Sequence, residues 1–221
     1  MMNVGFNLAN LGLGQWIVIG LSAVLGAWFV AGIAINRRVG RTARDWIASS
    51  LDGYTCGEPS WVDLATAAVA MKATRPTLPL ERLEAILALE RRENLPLWLF
   101  QHVAGKRDSL ILRATTKRKP SFEAHLIPTG EYAAIASLTQ GREPPLRRSD
   151  ERVGFAMFVG GDPDEQALRP FRTLVEHCKD SLVRVSLRTE KPYLLLHVRL
   201  AGFRGSSTAV VRAMNEVAER I

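Results

Sequence analysis

The first thirty-six residues carry no charge, and within them Trp16 to Ile35, WIVIGLSAVLGAWFVAGIAI, is almost wholly apolar. Twenty helical residues rising about 1.5 Å each span the ~30 Å hydrocarbon layer of a bilayer. A cleaved signal peptide needs a basic region before its apolar stretch, and none precedes this one; the run is also longer than the usual signal core. The pattern predicts a permanent transmembrane helix over 16–36, with a short extracytoplasmic tail at 1–15. Charge arrives just after it, in Asn36-Arg-Arg-Val-Gly-Arg-Thr-Ala-Arg44. By the positive-inside rule the carboxyl side is then cytoplasmic, as in a single-pass protein of the inner membrane.

The helical period continues past the apolar run. Val39, Ala43, Trp46 and Ile47 share one face, while Arg37, Arg38, Arg41 and Arg44 cover the others. This predicts an amphipathic collar at the headgroups, with Trp46 turned inward and the arginines toward anionic lipid, its linker ending near residue 59. Inside the span, Ala23, Ala27 and Ala31 fall four apart on one face, a spacing that lets transmembrane helices approach closely. Small residues are common in such helices in any case.

Beyond the linker the pattern shortens. Trp61 to Ala73 is apolar and compatible with a strand or a short helix. Leu83 to Glu90 alternates as a strand, Leu95 to Ala104 reads as an apolar helix opened by Pro96, and Leu110–Thr116 and Ser121–Ile127 read as two strands around a Lys117–Pro120 turn. A helix follows over 131–140, and then a polar stretch at 142–152. The order starts again with a strand at 153–159 and a helix capped by Asp162 and running to about Cys178, kinked at Pro170. Strands at 182–188 and 193–200 come next, and a last helix with Val210, Val211, Met214, Val217 and Ala218 on its apolar face.

Each half thus reads strand, helix, strand, strand, helix. Residues match at one constant offset: Asp108 with Asp180, Ser109 with Ser181, Leu110 with Leu182, Lys119 with Lys191, Pro120 with Pro192 and His125 with His197. In the returning strands Phe122, Ala124 and Leu126 correspond to Leu194, Leu196 and Val198. The outgoing strands fall out of phase, which calls for a bulge or a one-residue slip. The fold expected is α+β: a transmembrane helix followed by a cytoplasmic domain of two tandem βαββα repeats, at 60–142 (with the preceding apolar segment) and 152–221.

Composition adds sign rather than kind. Twenty-nine basic against 22 acidic residues give +7, which favours an anionic membrane leaflet or nucleic acid. Cys56 and Cys178 sit in unrelated contexts and read as free thiols in a reducing compartment. Lys106, Arg107, Arg113, Lys117, Arg118 and Lys119 form the best candidate for an anion-binding surface, with Lys117, Arg118 and Lys119 at the hairpin tip and Arg113 on the strand leading to it. No aromatic platform is interleaved with them, as nucleic-acid binding would favour. The favoured reading is a solvated loop tip, one that could rest on the bilayer below the anchor.

His102, His125, His177 and His197 are single residues far apart, so no metal motif is read from them. Gly160-Gly-Asp-Pro-Asp164 is explained by helix capping. His177 and Cys178 diverge on a helix, Ser206 and Ser207 lack a nucleophile-elbow context, and neither a phosphate-binding loop nor a dinucleotide fingerprint occurs. The sequence therefore predicts no enzyme and no cofactor. The expected role is a membrane-anchored accessory protein that contacts membrane lipid and binds a protein partner or itself as a homo-oligomer. Alternatives are a tethered nucleic-acid binder using Lys106 to Lys119, or an enzyme or ligand sensor of another kind.

Overall fold

The computed structural model describes residues 12–51, 60–65, 67–73, 79–131, 135–136, 145–152, 154–203 and 207–220. Its first element, α1 (Leu13–Ser50), is one unbroken helix of 38 residues. It is the one helix among the described residues long and apolar enough to cross a membrane. From Leu13 to Ala31 every residue except Trp28 is exposed. From there Gly32, Asn36, Gly40, Ala43, Ile47 and Ser50 are buried, a three-to-four-residue period that lays one stripe on the rest of the molecule.

The helical period expected to continue past the apolar run does so, the Arg-rich segment being part of the same helix, with no proline to break it. Its apolar side, however, has a different occupant. Ala43 and Ile47 are buried in the protein core, and Val39 and Trp46 pack against that core rather than standing free for headgroups.

The body is one nine-stranded sheet, antiparallel throughout, made of β1 (Ser60–Ala65), β2 (Ala68–Lys72), β3 (Leu80–Ala88), β4 (Ser109–Thr116), β5 (Glu123–Pro128), β6 (Arg147–Arg152), β7 (Phe155–Gly160), β8 (Leu182–Leu187) and β9 (Leu194–Arg199). The strand order is β1-β2-β3-β4-β9-β8-β5-β7-β6. The helices are α2 (Leu95–Val103), α3 (Glu165–Cys178), the short α4 (Leu200–Phe203) and α5 (Ser207–Glu219). The ambiguous 61–73 segment is the edge hairpin β1–β2. The polar stretch is no mere spacer, for its second half is the other edge, β6, where charged side chains suit a strand with one unpaired side.

The sheet buries one face under α3, α5 and the end of α1, with Leu83, Leu112, Val185, Leu187, Leu196 and Met157 in the same cluster as Ile47, Phe171, Leu174 and Met214. Every residue expected on the apolar face of the last helix is buried. So are Phe122, Ala124 and Leu126, and their counterparts Leu194, Leu196 and Val198. The irregularity required in the second outgoing strand is present as a register shift between Leu182 and Arg184, which lets Leu182, Val185 and Leu187 all face inward. One capping assignment changes: Asp164 caps α3, its side chain accepting from the Ala167 amide at 2.7 Å, and Asp162 stands outside the helix.

The strands do not pair as two tandem repeats would. β4 and β5 do not form a hairpin, because β9 and β8 lie between them. β3 and β4 are antiparallel neighbours on either side of α2. β7 and β8, in contrast, both run antiparallel to the intervening β5, so they are parallel to each other and α3 is a crossover. Nesting the β8–β9 hairpin inside the opened β4/β5 pair gives all four strands a partner on both edges, which a self-closed hairpin would not. Of the helix expected at 131–140, Glu131 is described and is not helical, Ile135 and Ala136 are described and are helical, and 132–134 and 137–140 lie outside the described residues.

Candidate functional site

Polar side chains gather at each end of β3 and β4. Their register pairs Ala88 with Ser109 at the end where α2 connects them, and Leu80 with Thr116 at the other.

The α2 end is a joint with α1. Trp28 donates its indole N–H to the Arg92 carbonyl at 2.7 Å, and its ring lies 5.3 Å from that of Trp98 on α2. Gly32 lets the backbones meet: a Cβ there would fall 2.4 Å from the Arg92 carbonyl oxygen. One turn on, Asn36 donates to the Glu90 carbonyl at 3.0 Å and accepts from Arg92 Nη1 at 3.0 Å. Arg92 forks onto Asp108, Nη1 to Oδ1 at 3.0 Å and Nη2 to Oδ2 at 2.8 Å, and Asp108 Oδ1 also accepts from the Glu90 amide at 2.7 Å.

The buried Glu90 carboxylate accepts from Trp98 Nε1 at 2.6 Å and lies 3.2 Å from His102 Nδ1. Asn94 caps α2, accepting from the Leu97 amide at 3.1 Å. Burial disfavours the charged Arg92 guanidinium, but the Asp108 hydrogen bonds and the charges of Asp108 and Glu90 outweigh it and hold the group above its ordinary range. Below this network a cleft of about 660 Å³ separates α1 from the sheet, with Arg38, Arg92 and Arg107 set among Glu90 and Asp108.

The other end carries the predicted anion site. Arg113 is half-buried, opposite Glu84 on β3 and Leu195 on β9. It lines a cleft of about 290 Å³ with Glu81, Arg82, Glu84, Thr115, Lys191 and Pro192. Arg82 is paired with Glu84, and Lys191 with Glu81 at 3.0 Å, a hydrogen bond that raises the lysine pKa. Lys117, Arg118 and Lys119 are exposed on the link from β4 to β5.

That link is not a hairpin tip, since it crosses the end of the β8–β9 pair. Its anchors are the Lys117 amide to the Pro79 carbonyl at 3.1 Å and the Thr116 hydroxyl to the Arg118 carbonyl. Lys106 and Arg107 stand at the opposite end of β4, about 25 Å away for eight strand residues, so the six cations of the sequence cluster are two separate groups.

Of the remaining predicted residues, Ala23, Ala27 and Ala31 are exposed on α1, as are Arg37, Arg38 and Arg41. Arg44 is paired with Asp63 and sits 5.6 Å from the Trp61 ring. His102 belongs to the joint. His125 is fully buried, with Nε2 3.6 Å from Glu123. His197 is half-buried, and burial lowers its pKa, helped by Arg184 and Arg199 and opposed by Glu131. The side chain of His177 and all of Cys56 lie outside the described residues, and Cys178 is buried and in no disulfide. Among the described residues no three His, Cys, Asp or Glu side chains gather to hold a metal.

Sequence reading passed over the joint. Its members lie on three segments, around 28–36, 90–102 and at 108, and pair across as many as 64 residues. Its one visible signal, Asp108 at the head of the repeated Asp-Ser-Leu, pointed to the repeat instead. No protein-family model matches the chain, and no curated protein matches it in sequence.

Proposed function

We propose that this chain is a single-pass membrane-anchored accessory protein, its amino terminus outside, its sheet domain in the cytoplasm, and its role the binding of a protein partner or a second copy at the membrane. The observation that carries this reading is the continuity of α1. Its exposed stretch, Leu13 to Ala31, is nineteen residues, about 28 Å of helix, which matches the hydrocarbon thickness. The same helix then supplies Ile47 to the domain core.

A domain fused to its anchor in this way is held at one height and pose, as a scaffold requires and a tethered diffusing module does not. The exposed Arg37, Arg38 and Arg41 supply the cytoplasmic charge bias, and the exposed Ala23, Ala27 and Ala31 stripe is free for another helix. A nucleic-acid role is favoured by Lys117, Arg118 and Lys119 alone, exposed at the sheet end remote from α2. It is weakened by the adjoining cleft, where Arg82 and Lys191 are already engaged by Glu84 and Glu81 and only Arg113 adds to the three exposed cations.

Affinity purification of the full chain from membranes in mild detergent, with cross-linking and mass spectrometry, tests the reading. A stoichiometric partner or a homodimer is expected; a monodisperse, partner-free monomer would sink it. Retention of RNA or DNA with steep salt dependence would move the assignment to the second reading.

A further inference from the structure

α2 is an apolar helix that the protein leaves uncovered. In LPLWLFQHV none of the nine residues is buried, although eight of them are apolar, aromatic or histidine. The inward side is Trp98 and His102, one turn apart and both engaged by Glu90. The outward side is Pro96, Leu99, Phe100 and Val103, a continuous helical stripe, with Leu99 54%, Phe100 72% and Val103 80% exposed. A surface helix of a water-soluble domain carries polar residues on that side. Large apolar patches left outward mark a partner or a membrane.

What covers the stripe follows from where α2 is fastened. It and the Arg92 segment leading into it are held to α1 at Trp28 and Gly32, where the exposed apolar stretch ends, by the Trp28–Arg92 hydrogen bond, the Trp28–Trp98 ring contact and the close backbone approach at Gly32. A helix fixed at that height beside a spanning helix lies at the boundary of hydrocarbon and headgroups. Two tryptophans at one level are the usual furniture of that boundary. Lys106 and Arg107 follow within four residues of Val103, exposed, where anionic headgroups would meet them.

We infer that α2 is a second membrane contact, an interfacial helix whose Pro96, Leu99, Phe100 and Val103 enter the cytoplasmic leaflet beside α1. This inference rests on the reading that α1 spans the bilayer. With it, the domain is fastened to the membrane along a line from α1 to α2, which fixes its rotation about the α1 axis as well as its height. The opposite end of β3 and β4, with Lys117 to Lys119, then points away from the lipid.

The test is site-directed spin labelling of the full chain in a C56S/C178A background, reconstituted into phosphatidylcholine–phosphatidylglycerol vesicles. Single cysteines replace Phe100, Val24 on the exposed stretch of α1, and Lys119 at the far end of the sheet. Collision rates are read with oxygen, which concentrates in hydrocarbon, and with a water-soluble nickel chelate. The expected result is an oxygen-dominated ratio at 100, of the same sign as at 24, and a nickel-dominated ratio at 119.

Nickel dominance at 100 with oxygen dominance at 24 overturns the inference and leaves the spanning helix standing. Nickel dominance at both 24 and 100 overturns the two together. Low collision rates with both reagents at 100, the reading for a second copy lying on the stripe, also overturns it. Because Phe100 is exposed, the labelled chain keeps its fold, which circular dichroism checks.

Discussion

The two ends of β3 and β4 handle charge in opposite ways. At the α2 end, Glu90, Arg92 and Asp108 are drawn out of water: Arg92 donates to Asn36 and Asp108, Asp108 also accepts from the Glu90 amide, and the Glu90 carboxylate meets Trp98 and His102. At the other end, Lys117, Arg118 and Lys119 stand in solvent, and the charges near them meet as surface pairs such as Lys191–Glu81. Burial decides the difference. A desolvated charge must be answered by fixed partners, so the first set holds the molecule's shape; a solvated one costs little to keep and little to lose. Charge count in the sequence is the same kind of signal at both ends, and it points to the less structural of them.

Removing one member of the buried set should have the largest effect. Asp108→Ala leaves the Arg92 guanidinium and the Glu90 amide without their acceptor, and the expected loss is about 3 kcal/mol of stability. Thermal unfolding of the purified chain followed by circular dichroism reads it. A loss no larger than that of Asp180→Ala, the matched and exposed residue of the second half, would mean that the joint is not a buried network.

The approach of α1 to the joint is tested by sign. In an open helical position Gly→Ala stabilises by about 1 kcal/mol. Gly26 is such a position, with nothing within 4 Å of an added Cβ, whereas at Gly32 the same methyl would fall 2.4 Å from backbone. Gly26→Ala should therefore raise the melting temperature in detergent, and Gly32→Ala lower it, by about 1–3 kcal/mol of overpacking. Equal shifts in the same direction would separate α1 from the 90–94 segment and break the comparison between the two ends.

Much of this architecture was legible locally. The apolar run gave α1, period-two alternation gave the buried faces of β5 and β9, and the phase conflict in the outgoing strands gave the irregularity at Leu182–Arg184. What was not legible is relational. A strand's pattern says which face is buried and nothing about its neighbour, so the nested order β4-β9-β8-β5 was invisible and a hairpin was expected around Lys117–Pro120. β6, RRSDER, has no apolar period because an edge strand can be held by backbone pairing alone.

The end of α1 was misjudged for a related reason. Val39, Ala43, Trp46 and Ile47 announce an apolar face, and a face does not say whether lipid or protein covers it. In α2 the same ambiguity concealed more, since LPLWLFQHV reads as an apolar helix without saying what covers it, and none of its residues is buried.

The smallest effect is expected at the far end of the sheet. Replacing Lys117, Arg118 and Lys119 together by serine removes three of the chain's 29 basic residues, yet stability should change by no more than about 0.5 kcal/mol. The link is held through groups the substitutions keep: the Lys117 amide to the Pro79 carbonyl, and the Thr116 hydroxyl to the carbonyl of residue 118. Near-neutrality here, beside a loss of about 3 kcal/mol from Asp108 alone, would separate charges that build the fold from charges left for a partner. A loss above about 1 kcal/mol from the triple variant would put the Lys117–Lys119 cations in the structural class too, and the two ends of the sheet would no longer differ in kind.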